Sequence, residues 1–263
     1  MLRARLATAA VAIPLLLLLV FAAPAWTFAV VVGAIGVVGL IEYQHLAFPA
    51  QPWDRGLGIV LGIVVIGAAS FGPEPLAAAI AVLIAVGLVW TYLVRSDFER
   101  ALADLGLSLV GILYVGVLLP HFVWLRRVPG GPAWILLILA TAMAGDSFGY
   151  FVGHAWGRHK LIARVSPGKT VEGAFGIIAG NVLAAAAVKL VLLDFTTWRE
   201  ILVLAVVMSI LGQLGDLSKS VMKRTFGVKE SGWLFPGHGG VLDRIDSLLF
   251  PVTFVYYYVV WLR

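Results

Sequence analysis

The sequence contains no cysteine and little charge. Of its 263 residues only 13% are Asp, Glu, Lys or Arg, whereas a soluble domain carries about a quarter. The lack of cysteine excludes disulfide bonds, thiolate metal sites and cysteine catalysis. Hydrophobic residues make up 61% of the chain, and the mean hydropathy is +1.00. One water-soluble core cannot bury that much apolar surface, so the composition predicts a polytopic membrane protein.

Nine apolar segments are long enough to cross a bilayer, which takes about 20 mostly apolar residues. The predicted spans are 6–23, 26–44, 56–72, 75–94, 105–124, 133–154, 173–193, 200–222 and 245–262. We therefore predict an all-α fold of about nine transmembrane helices. Arg3 and Arg5 before an apolar run imitate a signal peptide, but eight more spans follow at once, and we expect the first span to be retained.

The distribution of Lys and Arg predicts a cytoplasmic N-terminus. In that orientation 14 of these residues fall in inner loops and four in outer loops, as the positive-inside rule requires. The pair Arg126 and Arg127 is the exception. The net charge of +5 then reflects cytoplasmic anchoring, and we expect no nucleic-acid partner.

Charged residues concentrate near the C-terminus, where nine of the 33 lie between positions 216 and 246. Ionisable groups at membrane depth are costly and indicate function. Ser209, Gln213, Asp216, Ser220 and Lys223 follow helical spacing and form one polar stripe on the eighth span. Hydrogen bonding between helices is an alternative role for the two neutral residues nearest the membrane centre. A carboxylate in that stripe demands a cation.

Asp146 is a matching acid in the sixth span, about two turns from its cytoplasmic end. Gly145, Gly149 and Gly153 form a face of small residues that lets another helix approach closely. Asp146 and Asp216 can therefore share a cation at one depth. The alternative is a protonated, hydrogen-bonded Asp146.

The segment 236–240 reads Pro-Gly-His-Gly-Gly and directly precedes a helix. Its glycines allow backbone N–H groups to face a ligand, and a helix N-terminus is a natural phosphate site. Asp243 and Asp246 lie on one face of the first turn, an arrangement that suits Mg²⁺ together with substrate phosphates. Alternatively, the two acids stabilise only the helix dipole.

A basic segment, 158–173, lies on the same side of the membrane. Its Gly168-Lys169-Thr170 imitates a P-loop, but Ala163 stands where the upstream glycine is required, and no strand is predicted before it, so we reject that motif. Ser166 and Lys169 would bind either anionic lipid headgroups or nucleotide phosphates.

Carboxylates for Mg²⁺, several cations and a glycine-rich turn are what phosphoryl or nucleotidyl transfer needs. A site at membrane depth, on the side where nucleotides are found, indicates a lipid acceptor. We treat the chain as a single membrane domain. Residues 1–130 are expected to be lipid-facing scaffold helices, and residues 131–263 are expected to carry the cytoplasmic catalytic loops.

The C-terminal motifs resemble those of the phosphatidate cytidylyltransferase (CDP-diacylglycerol synthase) family. The resemblance is carried by Ser220, Lys223, Arg224, Lys229, segment 236–240, Asp243, Arg244 and Asp246, and further by 5–14 and 166–173. Glu230 departs from the family pattern, which has Asp there, and we assign it no metal-ligand role.

The resemblance implies transfer of CMP from CTP to phosphatidic acid, giving CDP-diacylglycerol and pyrophosphate in phospholipid biosynthesis. It also implies Mg²⁺ as cofactor, with a second cation as an option, and a homodimer. The expected location is the inner (plasma) membrane, among membrane lipids, with the active site facing the cytoplasm.

The expected site residues form three sets. The catalytic set is Lys223, Arg224, His238, Asp243 and Arg244. The substrate-binding set is Ser166, Lys169, Thr170, Ser220, Gly237, Gly239 and Gly240. The metal set is Asp146, Asp216, Asp243 and Asp246.

Two alternatives remain open. A related CTP-dependent lipid enzyme, such as a polyprenol kinase or a synthase of CDP-archaeol type, would share the nucleotide-binding parts. A small ion or solute transporter would use Asp146 and Asp216 as a coupling site.

Overall fold

The structure is a computed structural model that describes residues 2–228, 230–232 and 239–263, with side chains from residue 12 onward. The predicted site residues Gly237 and His238 therefore lie outside the described residues. The elements are α1 (Leu2–Phe21), α2 (Ala25–Ala47), α3 (Pro52–Phe71), α4 (Pro73–Val94), α5 (Phe98–Gly116), α6 (His121–Arg127), α7 (Gly131–Trp156), β1 (Lys160–Ile162), β2 (Ser166–Thr170), α8 (Val171–Leu192), α9 (Trp198–Thr225) and α10 (Leu242–Trp261).

The described part of the chain forms nine helical segments when α5 and α6, separated only by residues 117–120, are counted together. They coincide with the nine segments predicted from the sequence. Seven of them (α2, α3, α4, α5 with α6, α7, α8 and α9) are long and apolar enough to cross a membrane. The protein is an all-α polytopic membrane protein, as predicted. The number of spans and the cytoplasmic N-terminus stay predictions.

Helices α7 and α8 pack closely because glycines line their contact. A Cβ atom on Gly149 would collide with the Ile177 side chain at 2.5 Å, and one on Gly176 would meet Val152 at 2.7 Å. Gly145 faces α8 in the same way. The close approach predicted for this face of α7 is confirmed, and it brings the helix that carries Asp146 directly against α8.

The connection between α7 and α8 is a β-hairpin. Strands β1 and β2 pair antiparallel, with Lys160 opposite Thr170 and Ile162 opposite Ser166. The prediction that no strand precedes Gly168-Lys169-Thr170 was wrong, because β1 precedes it and β2 contains it. The motif is still not a P-loop: its residues form a strand of the hairpin, whereas a P-loop is a glycine-rich loop between a strand and a helix.

Arg126 and Arg127 bind the C-terminal ends of two helices. Arg126 donates to the carbonyl of Ala23, just after α1, at 3.4 Å. Arg127 donates to the carbonyl of Ser70 in the last turn of α3 at 2.8 Å. Cations at helix C-termini interact favourably with the last carbonyls. The exception to the positive-inside pattern therefore has a local structural cause.

Candidate active site

Lys219 lies at the centre of a charged cluster where α9 packs against α10. Its Nζ lies 2.5 Å from Asp246 Oδ2, 3.2 Å from Asp243 Oδ1 and 3.5 Å from Asp216 Oδ1. The lysine is buried, and so is Asp246. Three aspartates predicted as metal ligands thus surround one ammonium group, which offsets the repulsion between them.

Lys219 was missing from the predicted site residues. It lies three residues after Asp216 and thus close to the same helical face, which is a signal that sequence analysis could have used. Ser220, which was predicted, is half-buried beside it on α9.

Asp243 is held by several donors from different parts of the chain. It accepts hydrogen bonds from Lys223 Nζ at 2.9 Å, from Ser231 N at 3.0 Å, from Ser231 Oγ at 2.7 Å and from Gly240 N at 3.1 Å. Burial raises the pKa of the Asp243 carboxyl, but these hydrogen bonds outweigh burial and hold the pKa well below its usual range. Asp243 is therefore ionised at neutral pH.

The hairpin brings a third lysine to the site. Lys169 of β2 lies with its Nζ 2.5 Å from Asp216 Oδ2. Thr170, the last residue of β2, caps α8 by accepting a hydrogen bond from Gly173 N at 3.1 Å. Arg224 donates from Nε to the carbonyl of Val165 at 3.3 Å and so ties the end of α9 to the hairpin.

Two further predicted residues, Ser166 and Arg244, are located by the elements that carry them. Ser166 begins β2. Arg244 lies in the first turn of α10, next to Asp243. The roles predicted for these residues stay predictions.

Gly239 and Gly240 let two carboxylates approach the backbone. Gly239 has a left-handed φ of 75°, and a Cβ atom on it would lie 2.8 Å from Asp243 Oδ2. A Cβ atom on Gly240 would collide with the carboxylate of Glu42 and would lie 2.7 Å from Ser231 Oγ. The role predicted for these glycines in binding phosphates stays a prediction, although the amide of Gly240 is already bonded to Asp243.

Glu42 of α2 is a second residue that sequence analysis missed. It is buried, and its oxygens accept hydrogen bonds from Val241 N at 3.0 Å and Leu242 N at 2.9 Å. It belongs to the segment predicted to be scaffold. An acidic residue near the end of a predicted span is a functional indicator that could have found it.

Two adjoining cavities open beside the cluster. The larger, of about 850 Å³, is lined by Asp146, Asp216 and Lys169 together with Tyr150 and His154. A second cavity of about 410 Å³ shares the two aspartates and the lysine. Its further lining includes the polar residues Thr141, Asn181, Ser209, Gln213 and Ser247. Asp146 and Asp216 therefore face the same space, as a shared cation requires.

Mg²⁺ stays a prediction at this site, where lysines stand among the carboxylates. Among the described residues, no group of three or more His, Asp or Glu side chains is arranged to hold a metal ion. Asp246 Oδ2 is buried and pairs with Lys219 Nζ at 2.5 Å. Carboxylate oxygens are the ligands that Mg²⁺ prefers.

The sequence was compared with known proteins. A sequence model described as the cytidylyltransferase family matches residues 3–262. The chain belongs to this family. The resemblance noted from its motifs is thus confirmed.

Several relatives with the name phosphatidate cytidylyltransferase are similar to the chain. The protein from Bacillus subtilis is 36% identical over 176 residues, which cover 66% of this chain and 65% of that protein. The protein from Thermotoga maritima is 34% identical over 183 residues, 67% of each chain. The protein from Staphylococcus aureus is 33% identical over 226 residues, 85% of each chain. The chain thus spans just under two thirds of the Bacillus subtilis protein.

Proposed function

We propose that this protein transfers CMP from CTP to phosphatidic acid, giving CDP-diacylglycerol and pyrophosphate. The observation that carries the proposal is the meeting of Lys219 and Lys223 with Asp216, Asp243 and Asp246 beside a cavity. These residues belong to the motif region on which the resemblance to this enzyme family rests. The names of the relatives support the same reaction.

The transfer of CMP requires mainly that the negative charge of the phosphate groups is neutralised. An oxygen of the lipid phosphate attacks the α-phosphorus of CTP, a new P–O bond forms, and the bond to the β-phosphate bridging oxygen breaks as pyrophosphate leaves. A phosphate monoester has a second pKa of about 6, so the nucleophile is already ionised at neutral pH. Lys169 and Lys223 would then neutralise phosphate charge, a dominant contribution in such reactions.

Asp146 and Asp216 would hold Mg²⁺ from the cavity side, with Asp243 and Asp246 as further oxygen donors. The ion would supply neutralisation of charge on the phosphate oxygens. Lys219 lies within 3.5 Å of the three carboxylates of the cluster and offsets the repulsion between them. A second cation and the roles of Arg224, His238 and Arg244 belong to the same proposal.

An apolar cavity supports a lipid acceptor. It has a volume of about 700 Å³ and is lined by apolar residues that include Ile162, Phe175, Ile210 and Leu214. It shares Leu161, Ala174 and Gln213 with the polar cavity. If the acyl chains of the lipid bind in the apolar cavity, its phosphate lies in the adjoining polar cavity, near the charged cluster. In the predicted orientation the site faces the cytoplasm, and we place the protein in the inner (plasma) membrane, as a homodimer by family resemblance.

The test measures pyrophosphate release by detergent-purified protein with CTP, Mg²⁺ and phosphatidic acid, omitting each in turn. We expect release that needs all three and a lipid product that carries CMP. Asp243→Asn should lower turnover at least about 100-fold, because it removes the charge that Lys219 and Lys223 neutralise. Asp97→Asn, at an exposed helix start, is the matched control and should leave turnover unchanged.

Other outcomes would overturn parts of the proposal. A bare phosphate on the lipid would indicate a lipid kinase, and turnover with another lipid only would correct the acceptor. If the turnover of Asp243→Asn stays within about twofold of that of the wild-type protein, the role assigned to Asp243 is contradicted. Solute flux in liposomes without CTP turnover would indicate a transporter.

A further inference from the structure

Glu42 joins the N-terminal half of the chain to the start of α10. Its two carboxylate oxygens accept hydrogen bonds from Val241 N and Leu242 N, 199 and 200 residues further along. These N–H groups lie at the start of α10, where backbone donors have no partner inside the helix. A carboxylate at this position is doubly favourable, because the hydrogen bonds are charge-assisted and the helix dipole attracts an anion.

The turn around Glu42 is shaped to admit this carboxylate. Cβ atoms on Gly232 and on Gly240 would both collide with it. The groups that hold Asp243 come from the same positions. Ser231, next to Gly232, donates from N and Oγ, and Gly240 itself donates from N. Glu42 and Asp243 therefore divide four backbone amides between them, those of Ser231, Gly240, Val241 and Leu242.

This division has a consequence for substrate binding. The amides of Val241 and Leu242 are those that would otherwise attract a phosphate to the helix N-terminus. The protein's own carboxylate already fills that anion position. Lys169 and Lys223, which pair with Asp216 and Asp243, are the lysines that we assign to substrate phosphates.

We propose that Glu42 is a positioning residue: it fills the anion position at the start of α10 and thereby holds Asp243 against Lys219 and Lys223. The inference rests on the proposed function, because its kinetic effect is measured as cytidylyl transfer. It adds a residue of α2 to a site otherwise formed by α7, α8, α9, α10 and the hairpin.

Glu42→Gln is the sharpest variant, since it keeps the size of the side chain and removes the second acceptor. We expect kcat to fall at least about 10-fold while KM for CTP changes less than about 3-fold, because Glu42 holds Asp243 but does not touch the nucleotide. Glu74→Gln is the matched control, an exposed acid in the first turn of α4, and it should leave both constants unchanged.

Rescue separates positioning from a general loss of structure. In Glu42→Ala, added formate should enter the vacated anion position and restore part of kcat, whereas the same concentration of chloride should not. A rise in KM for CTP with unchanged kcat would place Glu42 in substrate binding and overturn the proposal. Unchanged kinetics of Glu42→Gln would overturn it as well.

Amide hydrogen exchange gives a readout that does not depend on the reaction. The amides of Val241 and Leu242 should exchange slowly in the original protein and at least about 10-fold faster in Glu42→Gln. If the original protein shows no cytidylyl transfer, the proposed function fails, and the exchange rates still decide whether Glu42 fixes this turn. Equal exchange in both proteins would refute the role of Glu42 irrespective of activity.

Discussion

Two charged clusters lie at the predicted cytoplasmic face, one in each half of the chain, and they differ in how their charges are used. In the N-terminal half, Arg95 lies between Asp54 and Asp104. Trp90 donates from Nε1 to Asp54 at 3.0 Å. The adjoining cavity, of about 420 Å³, is lined largely by apolar residues such as Leu57, Leu61 and Leu83.

The C-terminal cluster is built differently. Lys219 lies among three carboxylates, and the hairpin supplies Lys169 from a separate element. Backbone amides of the turn bind Asp243, and the cavity beside the cluster carries further acidic groups. Ion pairs near a membrane surface are therefore not enough to indicate catalysis. What distinguishes this cluster is a buried lysine surrounded by three carboxylates, together with a further lysine that the hairpin contributes.

The largest effect should come from Lys219→Met. Removing the ammonium leaves three carboxylates close together, so we expect kcat to fall at least about 100-fold and the free energy of unfolding to fall by about 3–5 kcal/mol. Kinetics and chemical denaturation in detergent measure both. Lys189→Met is the matched control: this buried lysine bonds the carbonyls of Leu193 and Thr196, so it should lose stability but keep its activity per folded molecule.

Retention of activity within about fivefold in Lys219→Met would break the comparison. This result would mean that Lys219 has only a structural role among the aspartates, like the role that we expect for Arg95 between Asp54 and Asp104.

Replacing one glycine by alanine in each region should give effects of intermediate size. Gly239→Ala places a Cβ at a φ of 75° and against Asp243. We expect a loss of about 1–2 kcal/mol in stability and a roughly 10-fold lower kcat, because Asp243 must shift. Gly58→Ala, where a Cβ would lie 2.6 Å from Gln44 Oε1, should destabilise the protein without changing kcat of the folded fraction. Equal kcat values for the two variants would show that the turn does not control the reaction.

The smallest effect should come from Arg95→Met. The Arg95, Asp54 and Asp104 side chains are 28%, 16% and 30% exposed, so water screens part of their attraction and we expect a stability loss of about 1 kcal/mol. We expect kcat within about twofold of the original, measured in the same pyrophosphate assay. A loss of 10-fold or more in kcat would assign the N-terminal cluster to the reaction.

The sequence was sufficient to predict the helices and several charged residues that the structure brings together, because both depend on local patterns. Apolar runs located the nine segments, and the glycines of α7 predicted its close contact with α8. The motif residues Asp216, Lys223 and Asp243 converge in the structure, although their spacing alone could not show which groups pair.

The missed features depend on long-range contacts or on short elements. Glu42 binds backbone amides about 200 residues away, and an amide donor leaves no signal in side-chain patterns. Lys219 was passed over because its three partners come partly from another helix. The hairpin was missed because β1 has three residues and β2 has five, too few to show a periodic pattern.

The contact between Glu42 and α10 also sets an order in time. During synthesis α2 enters the membrane early, while Val241 and Leu242 are made 199 and 200 residues later. Until α10 has formed, the carboxylate of Glu42 near the end of α2 lacks its amide partners. The contact between α2 and α10 therefore forms only after most of the described chain has been synthesised.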